Sequence, residues 1–239
     1  NHQFNQPLDS WNVSSVTNMK YMFEQAHQFN QPLNSWDVSN VTTMSNMFKS
    51  AHSFNQPLDS WNVSSVTTMK YMFQQAHSFN GDISTWDVSN VNNMEAMFKD
   101  TFFHQDISSW NVSNVTNLNS TFMASGFHGE ISAWDVSNVT DFSNMFLNAS
   151  IPDPNKCAIH ASFSSNENWP YNWHQEINCS DFGFNFSFKP LTKDQLQTAV
   201  DLWVSDNETA LANYGEINTW DVSLITNMSR IFKQKTTFN

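Results

Sequence analysis

Apolar residues recur along this chain with a period of 24 or 25 residues. Tryptophan marks the period most clearly, at Trp11, Trp36, Trp61, Trp86, Trp110 and Trp134, and again at Trp220 after a long interruption. A period of this length is typical of repeat proteins, in which each unit can bury its apolar side only by stacking on its neighbours. The pattern therefore predicts an array of stacked coils.

Each unit has two halves with different spacing of the apolar residues. The first half is short and interrupted by proline or glycine, and its apolar positions are Phe54, Leu58, Trp61 and Val63 in one unit. This pattern favours one short parallel strand with its turns. We expect Ile83 and Ile107, which replace the leucine in later units, to strengthen that strand.

The second half of each unit places apolar residues three and four positions apart, as on one face of a helix. In one unit these are Val41, Met44, Met47, Phe48 and Ala51, and Ser39 or Thr42 could begin the helix. The sequence thus predicts an α/β solenoid that is leucine-rich-repeat-like. Its coils of about 25 residues would each hold a short parallel strand and a short helix, with capping segments at the ends.

Methionine and phenylalanine occupy fixed positions in successive units, and we expect both sets to fill the core. Asparagine or aspartate follows each tryptophan, which favours hydrogen bonds to turn backbone groups. A ladder of calcium ions is the alternative for these positions, which are Asn12, Asp37, Asn62, Asp87, Asn111, Asp135 and Asp221.

Both cysteines lie in the segment that interrupts the repeats. A disulfide between Cys157 and Cys179 would stabilise the fold by roughly 3 kcal/mol in the chain-entropy model. A zinc site that adds His160 and His174 is the alternative, because the C-x-x-H spacing suits zinc ligands. The disulfide is the favoured prediction.

Two capping boxes follow the cysteine segment and predict two helices. Thr192 with Gln195 would begin the first, and Ser205 with Glu208 the second. We expect the first helix to bury Leu196 and Trp203. The predicted organisation is a repeat array over 1–150, truncated at its N-terminus, and a disulfide-closed C-terminal cap over 151–181. A connector over 182–190, a helical N-terminal cap over 191–214 and the first coil of a following array over 215–239 complete it.

Charge excludes several classes of partner. The chain has 22 acidic and 10 basic residues and a net charge of −12, with no basic run, so nucleic acid is not an expected partner. No stretch approaches the roughly 20 apolar residues that span a bilayer. No P-loop, G-x-S-x-G or H-E-x-x-H motif occurs, and carboxylates and histidines (His27, His52, His77) recur once per unit. We therefore predict no catalytic residues, no cofactor and no metal site.

The repeated motif resembles that of the BspA-like leucine-rich-repeat surface proteins, W-D-V-S-N-V-T-x-M-x-x-M-F. Close matches lie at 11–23, 36–48, 61–73 and 86–98, with looser copies at 110–122, 134–146 and 220–232. Thr121 and Phe142 depart from the two methionine positions. The resemblance implies a secreted or cell-surface protein with adhesive, protein-binding roles, and it supplies no catalytic residues.

The predicted function is therefore adhesion, or binding of a protein or glycan, at the cell surface or outside the cell. The polar strand face would bind the ligand through Asn5, Gln6, Asn30, Gln31, Asn34, Asn55 and Gln56. The alternative is a structural subunit of a surface filament or coat, in which copies of the chain bind one another. Ice binding by threonine columns is a weaker idea. Glycosylation sequons add candidate modification sites at Asn12, Asn40, Asn62, Asn111 and Asn138.

Overall fold

The computed structural model describes residues 2–184 and 188–235. It divides into two compact units, 1–171 and 172–239. The boundary falls inside the predicted cap over 151–181. Part of the predicted connector, 185–187, and the last residues of the predicted final coil, 236–239, lie outside the described residues.

The repeats of the first unit are coils made of successive turns. In one coil the amides of Trp61, Val66, Met72 and Ala76 each donate to the carbonyl oxygen three residues earlier. Each pair of neighbouring coils forms one isolated parallel β-bridge, along the row Asn18, Thr43, Thr68, Asn93, Asn117 and Asp141. These isolated bridges are the only strand-like pairing in the described part of the chain.

The predicted α/β solenoid of strand–helix coils is therefore wrong, and so is its assignment as a leucine-rich repeat. The segment predicted as a helix cannot form one because alternate amides are used between coils. Met44, Asn46, Phe48 and Ser50 donate to carbonyl oxygens of the next coil at 2.7–3.2 Å. Asn46 and Ser50 also have left-handed backbone, with φ of 60° and 58°. Turns with a positive φ at their third residue reproduce the spacing of three and four that suggested a helix.

The predicted core columns are confirmed as buried. Phe48, Phe73 and Phe98 are fully buried, and their rings stack on one another at 5.5 and 5.9 Å. Each inner tryptophan is 3% exposed, and its indole N–H donates to a carbonyl oxygen of the preceding coil, as from Trp86 to Leu58 at 2.9 Å. The array thus buries both its aromatic rings and their polar atoms.

A helix and an aromatic cluster close the last coil of this unit. Helix α1 spans Asp153–Phe163. The amide of Phe146 donates to the Tyr171 hydroxyl at 2.8 Å, and the Asn166 side chain donates to the carbonyl oxygens of Val136 and Val139. These side chains supply hydrogen-bond acceptors and donors to backbone groups of the last coil, in the place that a further coil would otherwise take.

The second unit contains helices α2 (Trp173–Glu176), α3 (Lys193–Ser205) and α4 (Asn207–Tyr214), with 3-10 turns at Cys179–Phe182 and Ile217–Thr219. The capping box of Thr192 and Gln195 at the start of α3 is confirmed. The second box is wrong, because Asp206 caps α4 and accepts a hydrogen bond from the amide of Thr209. Leu196 and Val200 of α3 pack with Ile231 of the single coil in this unit, and Trp203 is only half-buried.

Candidate functional site

The predicted binding asparagines connect successive coils. The Oδ1 atoms of Asn5, Asn30 and Asn55 each accept a hydrogen bond from the amide at the same position of the next coil, at 2.8–3.0 Å. At the fifth coil His104 takes the place of asparagine and donates its amide to Asn80. One acceptor of each of these asparagines is thus already used to hold the stack together.

The other predicted binding residues lie beside this row. The side-chain amides of Gln31 and Gln56 donate to Asn5 and Asn30 at 3.0 Å. Asn34 donates to the Asp59 carboxylate and accepts from the Ser60 amide. Gln6 is exposed. The structure gives these side chains a bracing role, and their contact with a ligand stays a prediction.

The Asx column forms local turns. The Asp37 carboxylate accepts from both the amide and the hydroxyl of Ser39, at 3.1 and 2.6 Å, and Asn62 does the same with Ser64. The Ser39 side chain and then its backbone amide hold the pKa of the Asp37 carboxyl below its ordinary value of 3.8. This geometry fits the turn interpretation, since asparagine and aspartate make the same bonds.

The predicted sequons divide into two groups. In Asn12, Asn62 and Asn111 the side-chain oxygen accepts bonds from the serine two residues later. In Asn40 and Asn138 the side-chain nitrogen, the atom that a glycan would modify, donates to a carbonyl oxygen of the preceding coil at 2.8 Å. Glycosylation should therefore perturb the stacking of the coils less at Asn12, Asn62 and Asn111 than at Asn40 and Asn138.

A polar cleft lies on the turn segment that follows the bridge row. It has a volume of about 440 Å³, and its lining includes Lys49, Tyr71, Glu95, Lys99 and Asn119. The four lysines of residues 1–150 all fall on this segment, because Lys20 and Lys70 share one position of the repeat and Lys49 and Lys99 share another. The cleft was not predicted from the sequence, although this alignment of lysines is readable from the repeat.

Two residues that line the cleft, Tyr71 and Glu95, belong to a compact ion-pair cluster with Lys70. Lys70 lies 2.6 Å from the Glu95 carboxylate and 4.8 Å from the centre of the Tyr71 ring, and the Tyr71 hydroxyl also hydrogen-bonds to Glu95. The hydrogen bond to Glu95 raises the pKa values of both the Lys70 ammonium and the Tyr71 hydroxyl. The cluster therefore favours the charged form of the Lys70 ammonium and the neutral form of the Tyr71 phenol.

Two further lysines line the cleft and are less tightly paired than Lys70. Lys49 lies 3.7 Å from Glu24 and 5.7 Å from the centre of the Tyr71 ring. Lys99 lines the cleft with no ion-pair partner among the residues that the structure describes. Ammonium and amide donors around a half-buried aromatic ring suit a ligand with carboxylate, sulfate or hydroxyl oxygens.

The predicted histidine column is a stack of imidazole rings. His27, His52 and His77 have ring centres 4.4 and 4.8 Å apart, and His2 continues the column at 4.4 Å. Burial, and then repulsion by His27 and His77, lowers the pKa of His52 below 6.5. Within residues 2–184 and 188–235, no group of three histidine, cysteine or acidic residues is placed to hold a metal ion.

Both cysteines are disulfide-bonded. They are the only two in the chain, so the disulfide is Cys157–Cys179. The alternative zinc site would need both cysteines as thiolates, which this bond prevents.

No helix in the described residues is long and apolar enough to cross a membrane.

Comparison with known proteins identifies a family. Neither the curated proteins nor the solved structures contain a significant match to this chain. A family model described as "Mycoplasma protein of unknown function, DUF285" matches residues 1–80, 58–156 and 202–239. Because these ranges cover most of the chain, the protein belongs to the DUF285 family.

Proposed function

We propose that this chain is a non-enzymatic binding protein of the cell surface or extracellular space, and that the cleft around Tyr71 is its ligand site. The observation that carries the proposal is the convergence of Lys49 and Lys99 on one cleft of an otherwise acidic array. Binding through the asparagine face is less favoured, because those side chains already hydrogen-bond between coils.

The ligand class follows from the donors. Lys49, Lys99 and the Gln74 side chain offer several N–H groups, and the Tyr71 ring offers a flat apolar surface. An acidic glycan presents both carboxylate or sulfate oxygens and the apolar C–H faces of its sugar rings, so it matches this set. The Lys70–Glu95 pair would hold the Tyr71 ring in place rather than contact the ligand.

Calorimetric titration of the protein with a uronate oligosaccharide, and with a neutral oligosaccharide of the same length, tests this proposal. We expect the acidic compound to bind with an affinity that falls as salt rises. The double variant Lys49→Gln/Lys99→Gln should bind at least about 10-fold more weakly, since each lost charged hydrogen bond is worth roughly 1.5–3 kcal/mol.

The matched control is Lys156→Gln, which removes a partly exposed lysine on α1 that pairs with Asp153 and lies outside the cleft lining. It should bind like the unaltered protein. Equal affinity of the double variant for the acidic compound would refute the cleft as the ligand site.

A further inference from the structure

Two rows of exposed, uncharged side chains run along the array. In the third coil they are Ser65 and Thr67, and Val66 between them is fully buried. Because alternate residues of extended chain point to opposite sides, the two exposed side chains point the same way. The rows are Ser15, Asn40, Ser65, Asn90, Asn114 and Asn138, and Thr17, Thr42, Thr67, Asn92, Thr116 and Thr140. We call this surface the threonine face. It carries no charged residue, although the chain has a net charge of −12.

The side chains of the threonine face are held in one orientation by the preceding coil. From the second coil onward, each threonine of this face donates its hydroxyl to a backbone carbonyl oxygen of the preceding coil at 3.1–3.2 Å, as from Thr67 to Thr42. The asparagines and the serine of the other row donate to a serine carbonyl oxygen of the preceding coil at 2.7–2.8 Å, as from Asn90 to Ser64. Successive coils therefore present the same hydroxyl oxygens, amide oxygens and methyl groups to water.

The coils are stacked with little rotation, so the threonine face is flat. The rings of Trp61, Trp86 and Trp110 lie at 1° and 5° to one another, and those of Phe48 and Phe73 at 0°. Within one coil the two kinds of ring are inclined by 28–29°. A rotation of one coil on the next would leave at most one kind of ring parallel. Neighbouring strands of an ordinary sheet are rotated by about 20–25°.

The threonine face therefore forms a regular lattice. Chains that pair through parallel bridges lie about 4.8 Å apart, which sets the repeat along the array. Two residues of extended chain span at most roughly 7 Å, which sets the separation of the two rows. Oxygen atoms in the layers of crystalline ice repeat over distances of the same order in two directions.

We infer that the threonine face binds the surface of ice. An ionic polymer or mineral would require charged side chains, and a sugar polymer would require aromatic rings on which to stack; this face has neither. A crystalline layer of water matches a face whose oxygens and methyl groups recur at fixed positions in successive coils. The side chains are already immobilised by their bonds to the preceding coil, so binding orders few additional groups. This site is separate from the cleft and does not depend on the proposed ligand.

The test places a bulky charge in the middle of the face. Thr67→Lys and, in a separate protein, Thr116→Lys each alter one exposed residue. Ser78→Lys is the matched control, because Ser78 is also exposed and lies eleven residues after Thr67, about halfway round a coil of 25 residues. Thermal unfolding of each variant checks that the fold is intact.

Partition of the protein into slowly growing ice gives the result. We expect the unaltered chain and Ser78→Lys to be enriched in the ice fraction over an inert protein of similar mass, and both threonine variants to lose that enrichment. The Lys49→Gln/Lys99→Gln variant should keep it, so failure of the cleft and failure of this face can be told apart. Exclusion of the unaltered chain from ice, or equal enrichment of the folded threonine variants, would overturn the inference.

Discussion

The left-handed turns of the array can be tested by replacing one alanine with glycine. Ala124 is exposed and has φ of 52°, and its amide donates to the Leu147 carbonyl of the next coil at 2.8 Å. This conformation costs a residue with a Cβ atom roughly 1–2 kcal/mol, a cost that glycine avoids. Glycine loses about 0.5–1 kcal/mol through the greater freedom of its unfolded state. Ala124→Gly should therefore stabilise the protein by about 0.5–1 kcal/mol.

The matched control is Ala133→Gly. Ala133 is also exposed but does not have positive φ. At this position glycine should destabilise the protein by about 0.4–1 kcal/mol, because only the unfolded state gains. The two substitutions delete the same methyl group, and the turn geometry predicts opposite signs for them.

Urea denaturation of the three proteins measures the difference. The midpoint should rise for Ala124→Gly and fall for Ala133→Gly, with unchanged slopes. In thermal unfolding, a change of 1 kcal/mol corresponds to a shift of about 2–4 °C for a chain of this size. A helical segment at Ala124 would instead lose about 1 kcal/mol on the same substitution. Destabilisation by both substitutions would refute the left-handed turn.

Three further predictions concern the columns of the array. Trp86→Phe should lower the free energy of unfolding, measured by urea denaturation, by about 2–3 kcal/mol, because a buried hydrogen bond and part of a buried ring are lost. An equal loss of stability for Trp11→Phe, where the tryptophan is exposed, would contradict this. Asp37→Asn should leave stability unchanged at pH 7. The same substitution should reduce the loss of folding stability on acidification. The lowered pKa of the Asp37 carboxyl gives stability that is present above pH 3.8 and is lost as the pH falls through the folded-state pKa. Unfolding curves measured from pH 7 to pH 2 would show no difference between the two proteins if Ser39 did not bond to the carboxylate. His52→Gln should make the loss of folding stability between pH 7 and pH 5 smaller. The pKa of His52 is lowered in the folded state, so the unfolded state binds a proton more readily as the pH falls below 6.5. A pH dependence of stability equal to that of the unaltered protein would argue against the ring stack.

The period and the core of the array could be predicted from the sequence, because they depend only on which positions are apolar. Phe48 and Met44 had to be buried whatever backbone carried them. The backbone itself was predicted wrongly at the segment from Met44 to Ala51. There the spacing of three and four is shared by a helix and by successive turns closed three residues apart. Residues such as Ser50, and Tyr71 in the next coil, give no signal of left-handed backbone.

At the candidate site, too, the recurrence of residues could be predicted from the sequence, but their contacts between coils could not. Asn30 was recognisable as a recurrent polar residue, but its use as an acceptor for the next coil depends on the register of the stack. The lysines of the cleft lie two coils apart, so they come together only once the coils are stacked. Aligning the coils by their tryptophans places these lysines at one shared position, so the repeat itself carries the signal for the cleft.

Near-identity between the first and third coils has a consequence for the gene. Residues 54–76 repeat residues 4–26 with two changes, at Thr68 and Gln74, so the stretches of DNA that encode these two coils can align with each other. Each coil offers the same row of amides to one neighbour and the same row of carbonyl oxygens to the other. Unequal crossing-over that removes or adds one pair of coils therefore joins surfaces that already fit. The length of the array can change in steps of two coils between related strains without the evolution of any new interface.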